Sequence, residues 1–369
     1  MLYRSVVKPI AFRMDPERAH HLFIGGLGVS RSVPGAVPMF RTMYGVPSHP
    51  ALKTELWGIR FPNPIGLAAG LDKNGEAVTA FSACGFGFME VGTVTPKPQQ
   101  GNDLPRLFRL PPDEALINRM GFNNEGAASM AERLKKLYPN YRIPVAVNIG
   151  KNKVTPNEQA EEDYRLCIQQ LYPYASFLVV NISSPNTPGL RSLQHGEELN
   201  RLLQAVTAEV ELQRAKLSEA KARPILVKIA PDLTEDELRQ TVEVIQSNPG
   251  IAGIIATNTT LSRDGLTHPN KEQAGGLSGR PLTKRSTEII RQTYALTKGK
   301  LPIIGCGGIF SAEDAYEKIR AGASLIEIYT ALIYKGPDIN KELASGLVRL
   351  LERDGFTHIS QAVGADHHD

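Results

Sequence analysis

From Ile65 onward, apolar residues gather in runs of strand length, each ending in Gly, Asn, Ser or Thr and each followed by a segment of helical spacing. The runs are Ile65–Leu71, Gly87–Thr95, Pro144–Gly150, Phe177–Ser184, Ile225–Ala230, Ala252–Thr260, Pro302–Gly308 and Leu325–Tyr334. Helices are predicted over Glu76–Cys84, Glu125–Leu137, Asn157–Leu171, Glu197–Leu217, Glu235–Ser247, Lys284–Lys298, Ala312–Ala321 and Ile339–Arg353, several opening on a cap such as Thr155-Pro156, Thr234 or Ser311. Near-continuous apolar strands mean a parallel sheet buried on both faces, and eight strand–helix units close into a (β/α)8 TIM barrel. A doubly wound open α/β sheet is the alternative.

Two stretches stand outside this alternation. Pro105–Leu110 and Glu114–Asn118 flank Pro111-Pro112-Asp113, which predicts a β-hairpin inserted beside the barrel mouth. At the start, Asp15-Pro16-Glu17 reads as a cap, a first-turn Pro and an acidic first turn, after which Ala19, Leu22, Phe23 and Leu27 recur at helical spacing. Leu2, Tyr3, Val6 and Val7 form a second short apolar pattern, and Gly and Pro punctuate the chain from Pro34 to Pro50. The expected division is a small helical appendage over 1–45 and a barrel over 46–369.

Composition narrows the function. Hydrophobic residues at 41% and charged residues at 22% suit a globular protein with a large core. The net charge of +4 comes from 42 basic and 38 acidic residues that are interspersed, which favours a mixed surface over a nucleic-acid-binding face. Cys84, Cys167 and Cys306 are widely spaced and unpaired in sequence, so neither a disulfide framework nor a zinc site is expected. His20 and His21 have no partner at metal-ligand spacing, and no metal is predicted. No run is long enough to span a membrane, and the start lacks the apolar core of a secretory signal; a membrane, if involved, is met at its surface.

Barrel enzymes work at the C-terminal ends of their strands. Those ends carry Lys73, Thr93, Asn148, Asn181 with Ser184 and Asn186, Lys228, Thr257 with Asn258 and Thr259, and Gly307-Gly308. Asn118, Asn148, Asn181, Asn186 and Asn258 could read a ring of alternating C=O and N–H groups. Asn, Ser and Pro also build ordinary capped turns, a reading that accounts for one such loop better than for five strand ends. Lys73 and Lys228 bring cations to the same mouth, for an anionic ligand or a negative charge developing on a cofactor ring. Lys228 lies inside the apolar run Ile225–Ala230, which argues against a surface lysine. Gly275–Gly279, Gly305–Gly308 and Tyr329-Thr330, placed on strand eight, suggest a phosphate cradle of backbone N–H groups. Cys306 reads as a packing residue.

With these residues in view, the chain resembles the dihydroorotate dehydrogenases of the class 2, quinone-reducing type. The motifs are Gly66–Lys73, Asn118–Asn123, Asn148–Asn152, Asn181–Leu190 and Gly276–Gly279. The resemblance implies FMN held by Ala69, Gly70, Leu71, Asp72, Lys73, Thr93, Asn148, Asn181, Lys228 and Thr257, with its phosphate near Gly279, Gly308, Tyr329 and Thr330. It implies a dihydroorotate site of Lys73, Asn118, Arg119, Met120, Gly121, Phe122, Asn181, Asn186, Asn258 and Thr259. Ser184 matches the family's base, with Thr187 in its proton relay and Phe122 shielding the site; class 1 relatives carry Cys there and lack the N-terminal helices. His20 and Arg109 fall on the implied quinone path. The appendage would then lie on a bilayer, though packing against the barrel explains its amphipathic pattern equally well. The implied setting is the cytoplasmic face of a bacterial cell membrane, in pyrimidine biosynthesis. The rivals are another flavin barrel, either a class 1 enzyme or a dihydrouridine synthase, and a non-enzymatic polyanion or membrane binder.

Overall fold

The computed structural model describes residues 3–367. Eight parallel strands close into a barrel: β1 Ile65–Leu67, β2 Phe88–Val94, β3 Val145–Ile149, β4 Phe177–Asn181, β5 Ile225–Ile229, β6 Ile251–Ala256, β7 Ile303–Cys306 and β8 Ala323–Ile328. Hydrogen bonds run around the ring in sequence order, and β8 pairs with β1, Ile326 opposite Ile65, to seal it. The outer helices are α1 Val78–Ala83, α2 Ala127–Lys135, α3 Ala160–Leu171, α4 Gly196–Lys216, α5 Glu235–Ser247, α6 Thr283–Thr297, α7 Ala312–Arg320 and α8 Ile339–Arg353. Both faces of the strands are covered, which is why their residues are apolar in nearly unbroken runs.

The predicted caps differ in outcome. Thr234 and Ser311 each accept from the backbone N–H three residues on while Glu237 and Asp314 reach back, a reciprocal capping box that opens α5 and α7. Thr155-Pro156 caps nothing: a 3-10 turn over Asn157–Gln159 intervenes and α3 begins at Ala160 without a side-chain cap. The last strand also ends earlier than its apolar run, because Thr330–Lys335 is helical and Tyr329 precedes that helix instead of lying on a strand. An apolar run cannot mark where a buried strand passes into a buried helix.

The inserted hairpin pairs Leu107–Leu110 with Ala115–Asn118 around a turn at Pro111–Asp113. It gains a third strand, Gly276–Gly279, so most of that Gly-rich segment is sheet and only its end serves as a turn. A second hairpin, Thr54–Leu56 with Ile59–Phe61, went unread. It plugs the barrel floor, where Phe61 packs edge-on against Phe88 at 5.5 Å and Trp57 lies 5.8 Å from Phe177.

In the appendage, Asp15 caps the helix Pro16–Ser30 by accepting from the N–H groups of Glu17 and Arg18. Tyr3–Val7 is a π-helical turn that continues into Lys8–Ala11, and Leu2 lies outside the described residues. Ala36–Tyr44 is an additional helix, which the Gly and Pro signals around it obscured: Gly35 precedes it and Pro38 sits in its first turn. No helix among the described residues is long and apolar enough to cross a membrane.

Candidate active site

The strand ends converge on one pocket enclosing roughly 1050 Å³, open solvent at its mouth included. Lys73, Thr93, Asn181, Ser184, Lys228 and Thr257 line it from the ends of four strands and the loop after β1; Asn258 and Thr259 follow β6. The inserted hairpin and the segment after it add Asn118, Met120, Gly121 and Phe122 to the wall, with Asn186 opposite. Gly279, Gly308, Tyr329 and Thr330 gather at the side formed by β7 and β8, and Ala69 and Gly70 line the pocket from β1.

A polar web fixes the interior. Thr93 Oγ1 donates to Asn148 Oδ1 at 2.5 Å, and Asn181 Nδ2 donates to Thr93 Oγ1 at 2.9 Å and Asn148 Oδ1 at 3.2 Å. Asn258 Nδ2 donates to Ser183 Oγ at 3.0 Å, and Asn186 Nδ2 donates to Asn118 Oδ1 at 3.2 Å, joining the loop after β4 to the hairpin. Ser184 Oγ accepts from the Asn186 N–H at 3.2 Å. Among the described residues the buried hydroxyls of Thr187 and Thr259 have no hydrogen-bond partner, and that of Thr259 belongs to a pocket-lining residue.

Lys228 is held by two acids that the sequence reading missed. Its ammonium donates to Glu90 Oε2 at 2.6 Å and Glu327 Oε2 at 3.4 Å. Glu90 also accepts from the Asn148 amide at 2.6 Å and from the Ala69 N–H at 2.9 Å, so it orients three residues at once. Burial works against the charge on Lys228, but the Glu90 and Glu327 carboxylates more than offset it, and the lysine stays protonated. For Glu327, burial and the neighbouring Glu90 push the carboxyl well up. The signal was available: Glu90 and Glu327 are lone acids inside buried apolar strands, the same anomaly that singled out Lys228.

Lys73 differs. Burial pushes its ammonium down to about 8, against the pull of Glu17, with Arg106 lowering it further and Asp72 raising it. Its proton is therefore the more easily lost of the two. Asp72 does not reach the pocket; it is fully buried and accepts from the N–H groups of Glu76 and Ala77, both at 2.8 Å, fixing the loop that presents Lys73. Arg119 also points away, donating to Gln273 Oε1 and the Ala274 carbonyl, with its guanidinium over Phe108. Asn148 and Thr187 stand behind the pocket wall. Cys306 lines the pocket, and burial pushes its thiol up to about 12, which suits packing better than nucleophilic attack.

A second, apolar cavity of about 1600 Å³ lies between the N-terminal helices and the barrel. His20, Arg109, Phe12, Leu27 and Leu71 line it, and Tyr329 borders both cavities. Arg109 donates to the Met14 carbonyl at 2.8 Å and stacks over Phe12. Burial, then Lys73 and His21, hold the His20 imidazole well below the usual range, so it is neutral.

The family model described as dihydroorotate dehydrogenase matches residues 51–351. A protein from Deinococcus deserti named dihydroorotate dehydrogenase (quinone) is 57% identical over 99% of this chain and 100% of its own. The protein of that name from Deinococcus radiodurans is 56% identical over 98% and 99%. Among solved structures, that of DHODH from Eimeria tenella in complex with ferulenol superposes with a TM-score of 0.88 at 40% identity, covering 96% of each chain. The barrel, the convergent pocket and these likenesses agree: the chain belongs to the dihydroorotate dehydrogenase family, alongside the relatives whose names specify quinone.

Proposed function

We propose that this chain oxidises dihydroorotate to orotate in pyrimidine biosynthesis, with FMN as the hydride acceptor and a membrane quinone as the final electron acceptor. The observation that carries it is the convergence of Ser184, Lys73, Lys228 and the Asn side chains on a single pocket. The names of relatives more than half identical over nearly the whole chain support the same reaction and acceptor.

FMN fits the residues present. At the phosphate end, a Cβ on Gly308 would meet Thr283 Oγ1 at 2.3 Å and one on Gly279 would meet the Glu114 carbonyl at 2.3 Å, so both positions demand bare backbone where the pocket turns. The Thr330 and Ser278 hydroxyls, 2.8 Å apart, add donors at that end. At the ring end Lys228, Thr93 and Asn181 would hold a polar ring edge, while Ala69, Gly70 and Thr257 would line its face. Bound there, FMN would supply an acceptor for the hydride leaving C6 of dihydroorotate.

The chain's own groups would do the rest. Asn118, Asn186, Asn258 and Thr259 would pair with the ring's amide groups, Lys73 would meet its carboxylate, and Met120, Gly121 and Phe122 would close the pocket over it. Ser184 would take the C5 proton. A serine hydroxyl is a weak base at neutral pH and needs somewhere to pass its proton; the buried, unpartnered hydroxyl of Thr187, three residues along, is suited to that. Phe122, held at φ 53° with its ring close to Gly150, would exclude bulk water. Asn donors would stabilise enolate-like charge on the carbonyl beside C5.

The apolar cavity bounded by His20 and Arg109 would admit the quinone, with Tyr329 between the two compartments. The N-terminal helices and the turn between them expose Leu22, Val29, Val33 and Met39, apolar side chains fit to lie in a bilayer surface, on the cytoplasmic side of a bacterial membrane under this reading. Residues 1–45 would form the membrane and quinone-access segment and 46–369 the catalytic barrel. The test is the visible absorption spectrum of the purified protein before and after anaerobic addition of dihydroorotate. A flavin spectrum that bleaches, and turnover with quinone well above that with fumarate or NAD, is expected. A colourless protein that takes up no FMN, or one preferring a soluble acceptor, would overturn the reading.

A further inference from the structure

Lys318, on α7, is fully buried at 0% exposure. Its ammonium donates to the Thr283 carbonyl at 3.0 Å and to the Ser286 and Thr287 hydroxyls, each at 2.7 Å. All three acceptors are neutral, and all belong to the first turn and a half of α6, where the peptide dipoles present their positive end. Glu317 and Asp314, on the lysine's own helix, act on it only at longer range, and Asp314 is engaged by the N–H groups of Phe310 and Ser311. Burial accordingly pushes the Lys318 ammonium down to about 8. A cation buried among neutral groups is costly, and an apolar side chain of similar length would fill the space without that cost.

The acceptors' residues lead to the pocket, Ser286 through the same hydroxyl that Lys318 meets and Thr283 through its side chain. Ser286 Oγ donates to the Gly307 carbonyl at 2.8 Å, and Thr283 Oγ1 donates to the Gly308 carbonyl at 2.7 Å. Gly307 and Gly308 line the pocket together with Gly279 and Thr330. Lys318 thus stands one hydroxyl behind the turn that would meet a phosphate.

We propose that Lys318 is a positioning residue for the cofactor's phosphate: a buried counter-charge that acts through the Ser286 hydroxyl and the Thr283 backbone on an anion cradled by Gly279, Gly307, Gly308 and Thr330. The inference rests on the FMN reading above. In water-poor surroundings, a cation separated from a doubly charged group by fixed hydrogen-bonded groups contributes to its binding even without touching it. The same charge has no counterpart in riboflavin, which shares the ring but lacks the phosphate.

That difference supplies the test. Flavin-stripped full-length protein is titrated with FMN and with riboflavin, following flavin fluorescence. Lys318→Met should weaken FMN by about tenfold or more while changing riboflavin by less than about threefold. Lys318→Arg, which keeps the charge, should hold FMN within about threefold of wild type. If Lys318→Met does not fold, pH serves instead. The titratable or charged groups facing Lys318 are Glu317 and Asp314 on α7 and Cys306 on β7. An anion stabilises the protonated lysine, so wild-type FMN affinity should be full below about 8 and fall as pH rises above it, riboflavin affinity staying flat. The phosphate is already doubly ionised in that range, its second pKa being about 6. In Lys318→Arg the fall should vanish. Equal losses for both flavins, or an FMN affinity independent of pH and of the lysine, would reduce Lys318 to a tie between α6 and α7. Failure of the wild-type chain to bind either flavin would instead sink the FMN reading itself.

Discussion

Ser184 and Lys73 divide the chemistry at the residue scale. Ser184→Ala should leave the flavin bound yet slow its anaerobic reduction by roughly three orders of magnitude or more, as befits loss of a general base; stopped-flow absorbance measures this, and near-normal reduction would remove Ser184 from the role. Lys73 makes the site sensitive to pH. Its ammonium is held down to about 8, so charge for the substrate carboxylate is complete at lower pH and disappears as pH rises through that value. The KM for dihydroorotate should therefore rise above about 8 with little change in kcat, and Lys73→Arg should flatten that rise. Of the residues that went unread at this scale, Glu327 lines the pocket and Glu90 acts on it through Lys228 and Asn148; both sit inside apolar strands and leave no loop motif.

At the scale of elements, the appendage is fastened to the hairpin region by an ion pair. Arg106 donates to Glu17 Oε1 at 2.7 Å, and both side chains are about nine-tenths buried, with exposures of 10% and 9%. The same guanidinium donates to the Gln100 and Asn102 carbonyls, and Asn102 in turn donates to the carbonyls of Arg119 and Asn186 in the substrate wall. Breaking a buried pair strands the other charge and costs about 3–5 kcal/mol. Glu17→Gln should accordingly raise amide exchange over residues 16–30 while the barrel strands remain protected; unchanged exchange there would mean the helix is held by packing alone. Such long-range pairs are invisible to periodicity, since Glu17 reads simply as an acidic first-turn residue. The barrel was legible because each strand is a whole buried run. The helix Ala36–Tyr44 and the floor hairpin were not, being short and bracketed by Gly and Pro.

At the scale of the whole molecule, two compartments meet at Tyr329: one carrying the polar side chains of the strand ends and a more apolar one roofed by the N-terminal helices. Removing residues 1–40 should spare reduction by dihydroorotate but cut quinone turnover at least tenfold, measured as separate half-reactions. Equal loss of both would argue against a distinct apolar entry. Charges placed on the exposed face, as in Leu22→Glu with Val29→Glu, should lower co-sedimentation with lipid vesicles. The pocket's membership was largely readable, because strands that end on one rim must deliver their last residues together. Leu71, placed with the flavin contacts, instead faces the apolar cavity, since the turn after β1 sends successive side chains to opposite sides.

Trp57, the chain's single tryptophan, sits in the floor hairpin and donates its indole N–H to the Ala252 carbonyl at 2.8 Å. Its ultraviolet emission is therefore a private signal from the sealed end, far from any bound chromophore's chemistry at the rim. Denaturation followed at that wavelength reports when the hairpin lets go of β6, and comparison with the release of visible colour would reveal whether the two ends of the cylinder come apart together or in turn.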